Sequence, residues 1–145
     1  MNYGFVKVAA AVPHVKVADC FYNIQQIEGL MRQASQKEVQ IIAFPELSVT
    51  SYTCMDLFSQ ETLLRNAEKA LLDLVNNTAD LDLLTIVGCP LVSGSQLINA
   101  AVAFQRGEIL GVVPKSYLPS YKEFQCKSVG VHGLFTPTAI HDHDR

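Results

Sequence analysis

Apolar positions along the chain alternate between two spacings. From Phe5 to Val12 (FVKVAAAV) they run almost unbroken, which predicts a first strand ended by Pro13. Ile24, Ile27, Leu30, Met31 and Ala34 then recur every three or four residues. That is the buried stripe of a helix capped by Asp19 and running to about Lys37. Val39 to Phe44 (VQIIAF) is a short apolar run suited to a strand buried on both faces, and Pro45 stops it. A loop follows from Glu46 to about Phe58. Leu63, Leu64, Ala67, Ala70, Leu71, Leu74 and Val75 form the stripe of a second helix over about Gln60 to Thr78, with Ser59 as its cap. Leu83 to Val87 (LLTIV) predicts a third strand, ended by Gly88-Cys89-Pro90. Leu97–Gln105 and Glu108–Val113 flank Arg106-Gly107, the spacing of a β-hairpin.

The predicted order is β-α-β-α-β-β-β. Alternation at the start places helices on a sheet, and the hairpin adds antiparallel pairing, so the class is α/β with a mixed sheet. After Phe124 neither period is visible. The chain thus divides into a patterned domain over residues 1–124 and a tail, 125–145, expected to be loop or disordered.

Composition narrows the function classes. A length of 145 residues suits one domain, and 49% apolar with 17% charged residues allows a packed core. A net charge of −3 and the lack of any Lys/Arg cluster argue against a nucleic-acid surface. No apolar run approaches the ~20 residues of a membrane-spanning helix, and Val8 to Pro13 lacks a signal peptide's cleavage pattern, so a cytoplasmic location is expected. Cys20, Cys54, Cys89 and Cys126 are widely spaced with no C-x-x-C pair, as for reduced or buried thiols.

Two features carry candidate chemistry. Each places an ionisable residue after a proline at the end of a strand: Phe44-Pro45-Glu46 and Val113-Pro114-Lys115. Sites in open α/β sheets gather at such strand ends, and proline fixes φ there. A glutamate and a lysine brought together can act as base and electrostatic stabiliser. On spacing alone, two unrelated loop charges remain the simpler explanation.

The surrounding residues favour the first alternative. Phe44-Pro45-Glu46-Leu47-Ser48-Val49-Thr50-Ser51-Tyr52-Thr53-Cys54-Met55-Asp56-Leu57-Phe58 resembles the glutamate motif of the nitrilase (carbon-nitrogen hydrolase) superfamily. It is most similar to the version in the N-terminal glutaminase domain of bacterial glutamine-dependent NAD synthetases. Val113-Pro114-Lys115-Ser116-Tyr117-Leu118-Pro119-Ser120-Tyr121-Lys122-Glu123-Phe124 resembles the lysine motif of the same branch. The resemblance implies the first half of an α-β-β-α sandwich. It implies Glu46 as the general base of a cysteine nucleophile, Lys115 as the stabiliser of the oxyanion, and Tyr121 as a glutamine-pocket residue. Ammonia released from glutamine would serve ATP-dependent conversion of deamido-NAD to NAD. ATP and Mg bind a C-terminal domain in complete family members, so no cofactor or metal is implied for these residues. The resemblance also implies a homo-oligomer for the complete protein.

The resemblance has gaps. Position 51 is Ser where the branch has Gly, which tolerates a positive φ that Ser resists. The supporting glutamate after the lysine motif is not recognisable in Gln125-Cys126-Lys127-Ser128. The nucleophile motif, several dozen residues beyond the lysine in the family, does not occur before Arg145. Cys54, Cys89 and Cys126 lack an adjacent placed base. A frameshift or premature stop after Phe124 would explain the change, leaving the chain inactive by itself. His141-Asp142-His143-Asp144 is too short and terminal to frame a metal site, which needs three or four ligands. A stand-alone amidase on small amides and a non-catalytic interaction module are the alternatives. For the module, half a sandwich would expose edge strands and an apolar sheet face.

Overall fold

A computed structural model describes residues 3–116. The elements are β1 (Val8–Ala10), α1 (Cys20–Gln36), β2 (Ile41–Ala43), a 3-10 turn (Met55–Ser59), α2 (Glu61–Asn77), β3 (Leu84–Ser93), β4 (Gln96–Gln105) and β5 (Glu108–Pro114). The five strands form one sheet in sequence order. β1, β2 and β3 run parallel, and β4 and β5 complete the sheet antiparallel. This is the mixed α/β architecture that the sequence pattern predicts.

The two predicted helices form from the predicted stripes. Ile24, Ile27, Met31 and Ala34 of α1, and Leu63, Ala67, Ala70, Leu71, Leu74 and Val75 of α2, are buried. They pack with Val87, Cys89, Ala100, Val102 and Phe104, which alternate along β3 and β4 and share one face of the sheet. Asp19 caps α1 as expected, its Oδ1 accepting the Tyr22 N–H at 3.1 Å. Ser59 does not cap α2. The 3-10 turn extends to Ser59, whose hydroxyl donates to the Asp56 carbonyl at 2.6 Å, and Gln60 takes the cap position without a side-chain bond.

The strands differ more from expectation. β1 is three residues rather than eight, and Phe5 and Val6 are 81% and 56% exposed. Among the described residues it is the sheet edge, paired with β2, which is itself three residues long. β3 runs straight through Gly88-Cys89-Pro90 instead of ending there, and turns at Gly94-Ser95 into β4. Proline is tolerated inside this strand because of its register. Asn99, opposite Pro90, turns its carbonyl to the Lys115 N–H (2.8 Å) on the β5 side. Pro90 therefore belongs to a non-hydrogen-bonded pair and loses no bond to β4. At Arg106-Gly107, φ values of 52° and 80° make the mirror-image two-residue turn that matches strand twist.

The segment after β2 is held almost wholly by main-chain bonds. The N–H groups of Thr50 and Ser51 both donate to the Leu47 carbonyl (3.1 and 2.8 Å), and Val49 N–H donates to the Gly88 carbonyl (3.2 Å). The buried Asn23 of α1 donates to the Val49 carbonyl at 3.0 Å, while also bonding Lys16 main chain on both sides. Ala18 N–H donates to the Thr50 carbonyl at 2.9 Å. Gly88 permits this seat. A Cβ added there would overlap the Leu47 nitrogen and lie 2.8 Å from both Cα and C of Glu46. Ser51 adopts φ 82°, the left-handed conformation that a glycine would accept without strain.

Two substitutions test this seat. Gly88→Ala is expected to lower unfolding free energy by about 3 kcal/mol in denaturant titration, since main chain rather than a flexible side chain must move. Ser51→Gly is expected to raise it by about 0.5–1 kcal/mol. Relief of left-handed strain exceeds the added backbone entropy, and the Ser51 hydroxyl contacts with Thr53 (3.3 and 3.4 Å) are too long to offset it.

Candidate active site on the open face of the sheet

The helices cover one face of the sheet. The other face carries Val8, Ala10, Ala101 and Val113, all exposed, with Val8 and Val113 at 65% and 55%. Register places Gly88, Ala101 and Val113 in one row across β3, β4 and β5, and Pro90 and Asn99 in the next. The Glu46 segment crosses this face over Gly88. Lys115 follows β5 at the end of the Asn99 row. A main-chain route and a strand end thus bring residues 69 apart in sequence to one spot.

There the carboxylate and the ammonium meet. Lys115 Nζ lies 2.8 Å from Glu46 Oε1 and 2.9 Å from Oε2. Both side chains are 36% exposed. A surface ion pair of this kind contributes only ~0.2–1 kcal/mol to stability, so the fold does not depend on it. Asn99, buried on β4, donates from Nδ2 to Glu46 Oε1 at 2.5 Å. Sequence inspection did not single out Asn99. Its signal was present: between Leu97 and Phe104 it is the one side chain able to hydrogen-bond.

The structure brings together Glu46 and Lys115 of the sequence-predicted set. Tyr121, Cys126 and the 141–144 segment lie outside the described residues. The three remaining cysteines are buried and unpaired. Cys54 Sγ donates to the Thr50 carbonyl at 3.0 Å, and burial raises its thiol pKa. Burial also pushes Cys20 up to about 11 and Cys89 well above the usual thiol range. None has the electropositive, partly open surroundings that generate a reactive thiolate. Among the described residues no cluster of His, Cys, Asp or Glu could hold a metal ion, and no helix is long and apolar enough to cross a membrane. A cavity of about 710 Å³, lined by Phe5, Lys7, Ser35, Glu38, Gln40 and Asp82, opens at the opposite, N-terminal ends of the parallel strands. Ligand sites of open α/β sheets sit at the other end.

Similarity to known proteins agrees with this geometry. Residues 7–137 match the carbon-nitrogen hydrolase family. A glutamine-dependent NAD(+) synthetase of Mycobacterium tuberculosis is 42% identical over 123 residues, covering 85% of this chain and 18% of the relative. The Aquifex aeolicus protein of the same name is 37% identical over 108 residues, covering 74% and 19%. The chain therefore spans under a fifth of the length of these relatives. Among solved structures, a glutamine-dependent NAD(+) synthetase from Cytophaga hutchinsonii superposes with a TM-score of 0.74 at 22% identity, over 79% of this chain and 20% of that one. An amidase from Nesterenkonia sp. superposes at 0.66 and 19% identity, over 81% and 45%, and shares the fold. By its sequence match and its fold, the chain belongs to the carbon-nitrogen hydrolase family.

Proposed function

We propose that this chain supplies the glutamate–lysine part of a glutamine amidase site, within the N-terminal portion of a glutamine-dependent NAD synthetase. The observation that carries the proposal is the two-oxygen contact between Glu46 and Lys115 on the open sheet face. Glutamine as the substrate is supported by the names of the relatives, which are glutamine-dependent NAD(+) synthetases.

In this scheme the Glu46 carboxylate takes the proton of a cysteine thiol. The thiolate sulfur bonds to the side-chain amide carbon of glutamine, and the carbonyl oxygen becomes an oxyanion facing the Lys115 ammonium. The C–N bond then breaks, and the leaving nitrogen departs as ammonia with the proton held by Glu46. Water, deprotonated by Glu46, cleaves the thioester to release glutamate. No described cysteine suits the nucleophile's part, so that group comes from residues beyond those described. The ammonia would go to an ATP- and Mg-dependent domain that amidates deamido-NAD. A cytoplasmic, homo-oligomeric enzyme acting on a small molecule fits this chemistry. The stand-alone amidase alternative rests on fold likeness at 19% identity, against 42% for the synthetase.

A chimera tests the proposal. The aligned segment of the Mycobacterium tuberculosis synthetase is replaced by this chain, and NAD formation is measured with glutamine or with ammonium chloride. Glutamine-driven synthesis is expected, and Glu46→Gln is expected to reduce it about 10²–10⁴-fold. Ammonium-driven synthesis, which bypasses the amidase site, is expected to stay unchanged. A Glu46→Gln chimera that uses glutamine as well as the parent would rule out the assigned role.

A further inference from the structure

The two oxygens of Glu46 are not equivalent. Oε1 receives the Asn99 Nδ2 amide at 2.5 Å and the Lys115 ammonium at 2.8 Å. Among the described residues, Oε2 receives only the ammonium, at 2.9 Å. A carboxylate oxygen offers about two lone-pair sites. Among the described residues both on Oε1 are therefore engaged, and one on Oε2 is left for a proton.

We propose that Asn99 is a positioning residue that occupies Oε1 of Glu46 and so makes Oε2 the atom that accepts the proton. This rests on Glu46 serving as the base of the proposed amidase site. Asn99 suits the task for three reasons. It sits on β4, which is paired on both sides, so its side chain starts from the stiffest part of the sheet. Its carboxamide donates a hydrogen bond without carrying a proton it can lose, so it orients the base without competing with it. Its main chain also serves Lys115, because the Asn99 carbonyl accepts the Lys115 N–H at 2.8 Å. One residue thus sets the carboxylate through its side chain and the lysine through its backbone. Only the first of these links depends on residue type.

The consequence for substitution is specific. Asn99→Leu keeps the backbone link to Lys115 but frees the carboxylate to rotate. Asn99→Asp puts a second carboxylate against Oε1, and two adjacent carboxylates resist double ionisation.

Two measurements decide the matter. In the chimera described above, Asn99→Leu is expected to lower glutamine-driven kcat about 10²-fold, the scale of a misplaced catalytic group, with KM changed less than about twofold. Asn99→Asp is expected to move the acid limb of the pH–rate profile to higher pH. Ammonium-driven synthesis reports that each variant is folded. In this chain itself, one Asn99 Nδ2 proton is expected to resonate well downfield of its geminal partner in a ¹H–¹⁵N spectrum, and to move upfield in Glu46→Gln. Parental kcat in Asn99→Leu, or an Asn99 amide signal that ignores Glu46→Gln, would overturn the inference. If Glu46→Gln abolishes glutamine use while Asn99→Leu does not, the inference alone fails. If Glu46→Gln retains glutamine use, the proposed function fails instead, and the amide signal still judges the hydrogen bond.

Discussion

The main chain of Glu46 and Leu47 passes so close to Gly88 that no side chain fits between them. Much else follows from that approach. It lets Val49 hydrogen-bond to the Gly88 carbonyl, continuing the β3 edge where β2 has already stopped at Ala43. It lays the segment across the face of the sheet that the helices leave open. It also brings the Glu46 side chain over the strand row that ends near Lys115. Interiors are packed densely enough that a methyl group in such a gap forces backbone to move. The position of the carboxylate is therefore a consequence of packing before it is one of charge.

The same segment shows how buried polar groups are made to fit. Asn23 has no exposed surface, and its amide and carbonyl together bond the main chain of Lys16 and Val49. Leaving such groups unpaired costs about 1–3 kcal/mol each. A second asparagine, Asn99, links Glu46 to β4 from the opposite side. Between and just beyond these anchors the chain accepts left-handed conformations, at Leu47 and at Ser51. Strain held at a loop that carries a functional side chain is common where the surroundings over-determine the backbone.

Some of this was legible in the sequence and some was not. The helices announced themselves, because Ile24-Ile27-Met31 and Ala67-Ala70-Leu71-Leu74 repeat a period that only a helix can bury. The Arg106-Gly107 turn was legible because two strand-like runs leave exactly two residues between them. Glu46 and Lys115 stood out through the prolines before them and through their motifs. β3 was read short, because Gly88 and Pro90 are strand breakers when considered alone. Register excuses both: one lies under the Glu46 segment and the other in a non-hydrogen-bonded pair. Asn99 was missed for a related reason, since its partner lies 53 residues away and no local pattern points to it. The positive φ at Ser51 was not legible either, since a serine resists that conformation and nothing beside it in the sequence announces it.

If packing against Gly88 and the bonds to Asn23 and Ala18 hold the Glu46 segment, the ion pair with Lys115 is a result of that placement and not its cause. Native-state amide hydrogen exchange in Lys115→Met tests this most directly. The Val49 and Ser51 N–H groups, bonded to Gly88 and Leu47, are expected to keep the protection they have in the unmodified chain. Free exchange at these two amides, with β3 still protected, would show that the charge contact holds the segment in place.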